Sequence, residues 1–113
     1  MTTKTIFEQI IDGEIPTSKI YEDDKVIVIN DIAPQAPVHY LIIPKKHFPN
    51  IQEINEADLG IIAHVYRIAQ IIASEQNIHD YRIIVNNGKK AGQTVFHVHF
   101  HFLAGSFFEK LIP

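Results

Sequence analysis

Three of the chain's seven histidines stand at alternate positions in the segment Phe96-His97-Val98-His99-Phe100-His101-Phe102-Leu103. Successive side chains of an extended strand point to opposite faces, so His97, His99 and His101 are expected to share one face. Val98, Phe100 and Phe102 then share the other and supply core. Three imidazoles spaced roughly 6.5–7 Å apart along a strand suit three kinds of role. They can form a histidine-rich polar surface, hold a zinc ion through two rings, or act together on a phosphate. The preceding turns favour phosphate. Gly92-Gln93-Thr94 lies just before the histidines, and Asn86-Asn87-Gly88 closes the segment before that. Glycine lets backbone N–H groups approach an anion closely, and Gln93, Thr94 and Asn86 add neutral donors.

The elements that must position these groups are legible as alternating periodicities. Thr5 and Glu8 are spaced as a capping box, so a short helix is expected to about Asp12, with Gly13 and Pro16 stopping it. Residues 25–32 contain Val-Ile-Val-Ile and then Asn-Asp, a β-branched strand pattern. Pro34 and Pro37 bracket a tight connection to a second strand over 38–43, ended by Pro44, which suggests an antiparallel pair. Asn55 can cap a long helix in which Leu59, Ile62, Ala63, Tyr66, Ala69, Ile72 and Ala73 recur at helical spacing to about Gln76. Residues 81–86 read as a third strand, 87–94 as a loop, and 95–103 as the last strand. This order predicts an α+β fold of one domain over 1–113: an antiparallel β-sheet with one long and one short helix.

Composition narrows the function. The chain has 113 residues, 46% of them hydrophobic and 20% charged, so it can bury an ordinary core. Its lack of cysteine excludes disulfides, thiolate metal ligands and a cysteine nucleophile. A net charge of -3 argues against nucleic acid as a partner, because that partner needs a basic face. No apolar run is long enough to span a bilayer, and the first residues do not read as a signal peptide, so no membrane partner and a cytoplasmic location are expected.

The segment His97-Val98-His99-Phe100-His101-Phe102-Leu103 resembles the histidine triad signature, three histidines alternating with apolar residues. Asn30-Asp31-Ile32-Ala33-Pro34-Gln35-Ala36-Pro37-Val38-His39 and Ile43-Pro44-Lys45-Lys46-His47 resemble the nucleotide-binding branch of that family. The likeness runs from about Phe7 to Leu103. It implies a homodimer that binds an AMP-like purine nucleotide and needs no cofactor. It also implies hydrolysis of the bond between the α-phosphate and a leaving group, often an amine, through a nucleotidyl-histidine intermediate.

Residue by residue, the resemblance casts His99 as the nucleophile and His97 and His101 as hydrogen-bond donors to the phosphoryl oxygens. His39 would orient the triad and relay protons, and the leaving group would take its proton from one of these imidazoles. Thr94 would bond the phosphate or leaving group, and Gly92 and Gln93 would form the backbone side of a phosphate cradle. Asn86 would hold a phosphate or ribose oxygen, and Asp31 the ribose. Phe7, Ile10, Ile29 and Ile32 would line the base slot. His47, His64 and His79 receive no role.

Two departures bear on these expectations. Some members carry paired cysteines at the positions of Thr5 and Glu8 and bind a structural zinc there, so this chain is expected to hold no metal. The tail from residue 104 to 113 has no tryptophan, which some relatives place over the active site, leaving the leaving-group preference open. Hydrolysis of nucleoside phosphoramidates or adenylates is the first reading. Dinucleoside polyphosphate hydrolysis and nucleotide binding with little catalysis are the alternatives.

Overall fold

A computed structural model describes residues 3–105. The capping box forms as its spacing predicts. The Thr5 side chain accepts from the Glu8 N–H, Glu8 accepts from the Thr5 N–H, and α1 (Ile6–Ile11) follows. Gly13 takes a φ of 78° just beyond, the left-handed region that glycine enters without a Cβ penalty. Strands β1 (Lys19–Glu22), β2 (Val26–Asn30) and β3 (Val38–Pro44) come next, then α2 (Leu59–Glu75), β4 (Tyr81–Ile84) and β5 (Phe100–Ala104). They make one antiparallel five-stranded sheet in the order β1-β2-β3-β5-β4. The tail call falls largely on residues 106–113, outside the described residues.

The sheet is covered on both faces, which explains why β2 reads as continuous β-branched residues without polar alternation. Val26 and Val28 join Ile42, Phe100 and Phe102 under α2, whose Val65, Ile68, Ala69 and Ile72 close that core. Ile27, Ile29, Leu41 and Ile43 point the other way and pack beneath Phe7 and Ile10 of α1. The α1 side of the sheet is therefore where odd-numbered residues of β3 and β5, His39 and His101 among them, emerge. Among the described residues no helix is long and apolar enough to cross a membrane.

Three boundaries differ from the sequence reading. Strand β1 was not anticipated: it is a short edge strand whose side chains are mostly exposed, so it lacks the apolar alternation that marks a strand. Asn55 makes no side-chain cap. A 3-10 turn (Glu56–Asp58) intervenes before α2, while Asn50 caps the 3-10 turn Ile51–Glu53 by accepting from the Glu53 N–H. The last strand begins at Phe100 instead of residue 95. The register that pairs Ile42 with Phe100 would next set Val98 opposite Pro44. Proline has no N–H to donate, the Pro44 carbonyl is taken by the His97 ring, and the Val98 N–H goes to the Phe48 carbonyl. The ladder has no bonds left to make, so His97 and His99 sit in irregular backbone that enters the strand.

Candidate active site

The expected alternation survives that break. Val98, Phe100 and Phe102 enter the α2 core, while the imidazoles of His97 and His99 meet the Phe7 ring at centroid distances of 6.0 and 4.8 Å. His99 and His101 stand ring to ring at 5.2 Å. The three rings thus gather on the α1 side of the sheet, but their hydrogen bonds give them different work.

A carbonyl can only accept, so each imidazole nitrogen that meets one must carry the proton. His97 donates Nε2–H to the Pro44 carbonyl at 2.7 Å, and its Nδ1 accepts from the Thr5 hydroxyl at 3.4 Å. With 0% exposure, His97 has no path to a substrate. The expectation that it donates to phosphoryl oxygens is corrected: both its nitrogens are spent inside the protein. Its own carbonyl accepts Nδ1–H of His99 at 2.8 Å. That bond fixes the His99 tautomer and leaves Nε2 with a bare lone pair. Burial pushes the pKa of His99 below its ordinary value of 6.5, so the ring is neutral at pH 7.

His39 and His101 form a second ordered pair. The Gln35 N–H donates to His39 Nδ1 at 3.0 Å, which leaves His39 Nε2–H to donate to His101 Nδ1 at 2.9 Å. His101 consequently keeps its own proton on Nε2. Its pKa is pushed down to about 4, chiefly by burial and then by the neighbouring His99 and His39 rings, while the Asp31 charge pulls the other way. Asp31 follows β2. Its Oδ1 accepts from the Ala33 N–H at 2.8 Å, and its Oδ2 lies 3.5 Å from His39 Nε2 and 4.0 Å from His101 Nδ1. Ile32, beside it, is 98% exposed, whereas Phe7, Ile10 and Ile29 are buried core.

The glycine turn is held together by Gln93. Its Oε1 accepts from the Gly88 N–H, and its Nε2 donates to the carbonyls of Pro49 and Val95. The Gly92 and Gln93 N–H groups are donated within the turn, to Lys89 and Gly88. The expected cradle is therefore revised: Gly92 and Gln93 shape the turn, and their donors are already used. Gly92 adopts a φ of 99°, and a Cβ there would sit 3.7 Å from Asn86 Nδ2, so Asn86 packs directly against this glycine. Thr94 is exposed, and neither its hydroxyl nor the N–H groups of Thr94 and Val95 bond another described residue. Those are the donors open to an anion.

Sequence reading gave His47 no role, yet its ring lies 5.0 Å from that of His97, with Nε2–H donated to the Phe96 carbonyl at 2.7 Å and Nδ1 3.8 Å from Glu8 Oε1. Nothing local to Lys45-Lys46-His47 signals this, because its partners lie at residues 8, 96 and 97. His64 binds the Asp23 carboxylate at 2.6 Å and so ties α2 to the turn between β1 and β2. Two groups of ligand-type side chains arise: Glu8 with His47 and His97, and Asp31 with His39 and His101.

The chain matches the family described as scavenger mRNA decapping enzyme, C-terminal binding, over residues 4–111. It is 49% identical over 102 residues to an uncharacterized HIT-like protein of Chlamydia trachomatis, covering 89% of this chain and 92% of that one. The chain belongs to the histidine triad family. Solved structures agree with the fold of this histidine triad protein. A HIT family hydrolase from Clostridium thermocellum superposes with a TM-score of 0.91 at 43% identity, covering 100% of both chains. A histidine triad protein from Clostridium difficile gives a TM-score of 0.92 at 38% identity, covering 99% of each.

Proposed function

We propose that this protein is a purine nucleotide hydrolase that cleaves the bond between the α-phosphate and an amine or acyl leaving group through a nucleotidyl-His99 intermediate. The observation that carries the reading is the His99 tautomer. With Nδ1–H bound to the His97 carbonyl, Nε2 is a neutral nucleophile held ready beside a proton donor. In the first step the Nε2–P bond forms, the bond from phosphorus to the leaving group breaks, and the leaving group takes the Nε2 proton of His101. In the second, water attacks phosphorus, the P–Nε2 bond breaks, and the proton released restores His101. His39 supports the exchange by holding His101 Nδ1 through its own Nε2–H.

Thr94 supplies the hydroxyl for a phosphoryl oxygen, and Asn86 reaches the same region beside Gly92. Asp31 Oδ2, whose companion oxygen is tied to Ala33, is the acceptor for ribose hydroxyls. Exposed Ile32 next to it offers an apolar surface to the base. A second copy of the chain is the partner proposed for α2, which leaves Leu59 and Tyr66 exposed.

The test is turnover of an adenosine phosphoramidate carrying a fluorescent amine, with initial rates for wild type and His99→Ala. Loss of the nucleophile should lower kcat by at least about a thousandfold. Equal rates for the two proteins would refute the assignment. Faster cleavage of a dinucleoside polyphosphate would move the substrate class, and tight AMP binding with negligible turnover would replace hydrolysis with nucleotide binding.

A further inference from the structure

Glu8, His47 and His97 adjoin the nucleophile's support without contacting the reacting atoms. One ligand atom from each lies within 4.8 Å of the others. The protonation pattern shows what they can bind. His47 gives Nε2–H to the Phe96 carbonyl and His97 gives Nε2–H to the Pro44 carbonyl, each at 2.7 Å. Both rings therefore present a bare Nδ1 toward the start of α1, where Glu8 supplies an anionic oxygen and Thr5 a hydroxyl. One ring nitrogen anchored on a backbone carbonyl and the other free is the arrangement that orients ligating histidines.

The second cluster has the opposite pattern. His39 Nδ1 accepts from the Gln35 N–H, a group that can only donate, so the neutral ring must keep its proton on Nε2. An ion at Asp31, His39 and His101 would have to displace that proton and leave an imidazolate. That cluster is suited to moving protons and poorly suited to holding a metal.

We propose that Glu8, His47 and His97 bind a divalent transition-metal ion through one carboxylate oxygen and two Nδ1 nitrogens, with the Thr5 hydroxyl or water completing the shell. The zinc that the family resemblance associates with paired cysteines meets a different donor set here. Lack of cysteine removes thiolate ligands and nothing else. Zinc–nitrogen bonds of about 2.0–2.1 Å set tetrahedral ligand separations near 3.3 Å, so the observed 3.8 Å between His47 Nδ1 and Glu8 Oε1 closes with a small side-chain adjustment. Replacing sulfur by oxygen makes the site harder and its ion more readily exchanged. An ion on His97 Nδ1 would displace the Thr5 hydroxyl bond and steady the residue whose carbonyl fixes His99. The inference does not depend on the proposed hydrolase activity.

The experiment is equilibrium dialysis of chelator-stripped protein against Zn²⁺, with metal content per chain as the readout and the visible absorption of the Co²⁺ form as a second one. Wild type and His39→Gln should each hold one Zn²⁺ per chain at micromolar concentrations. His47→Gln should weaken binding by about tenfold or more and lose the Co²⁺ band, with an unchanged circular dichroism spectrum. His47 is exposed and outside the core, so this variant carries the test even if Glu8→Gln disturbs the α1 cap. The proposal is overturned if wild type retains no Zn²⁺, if His47→Gln binds as tightly as wild type, or if His39→Gln abolishes binding while His47→Gln retains it.

Discussion

Acidification should destabilise the wild-type protein more steeply than a His101→Gln variant. In the unfolded chain a histidine titrates at 6.5, whereas burial and the adjacent His99 and His39 rings push His101 down to about 4. A depressed folded pKa means that the unfolded state binds the proton first. Stability is therefore complete above 6.5 and is lost as the pH falls toward 4. At pH 5 the difference in proton binding amounts to about 2 kcal/mol. Solvent screening at a ring that keeps 20% of its side-chain surface exposed trims this to about 1 kcal/mol. His97 and His99 are shifted in the same direction by burial, and comparison with the variant subtracts their share. Glutamine preserves an acceptor for His39 Nε2–H, so the pair is not simply orphaned. The assay is urea unfolding followed by far-ultraviolet circular dichroism at about pH 7.5, 6.5, 5.5 and 5.0, at fixed protein concentration. Two stability curves that stay parallel over this range would refute the claim that His101 is held neutral by its surroundings.

Gln93→Ala removes three side-chain bonds and strands the Gly88 N–H and the Pro49 and Val95 carbonyls. Thermal unfolding should show a loss of about 2–4 kcal/mol, and a loss under about 0.5 kcal/mol would show that the turn does not depend on this strut. Phe102→Ala empties a fully buried position stacked between Tyr40 and Tyr81 at 5.9 and 4.6 Å. It should cost about 3–5 kcal/mol in denaturant unfolding, whereas Phe96→Ala at an exposed position should cost less than about 1 kcal/mol.

Much of this architecture is written locally in the chain. The capping box, the β-branched run of β2, the proline-bounded β3 and the helical spacing of α2 each express a preference that neighbouring residues set by themselves. So does the side of the sheet on which His97, His99 and His101 appear, because alternation is a property of extended backbone and outlasts the end of the ladder. Edge strand β1 was invisible for the same reason in reverse: with mostly exposed side chains it carries no apolar period.

Only the tertiary structure decided which histidine does what. A ring's tautomer depends on the group facing each nitrogen, and those groups come from far along the chain. Pro44 lies 53 positions from His97, and Phe96 lies 49 positions from His47. Contact with Pro44 turns the first triad histidine from a presumed phosphate donor into a buried support, and it is this support that leaves His99 Nε2 bare. The same distant packing recruits His47 beside Glu8 and commits Gln93 to the turn. Spacing along the chain can align three imidazoles, but the carbonyls and N–H groups that determine where each proton resides are brought to them by the fold.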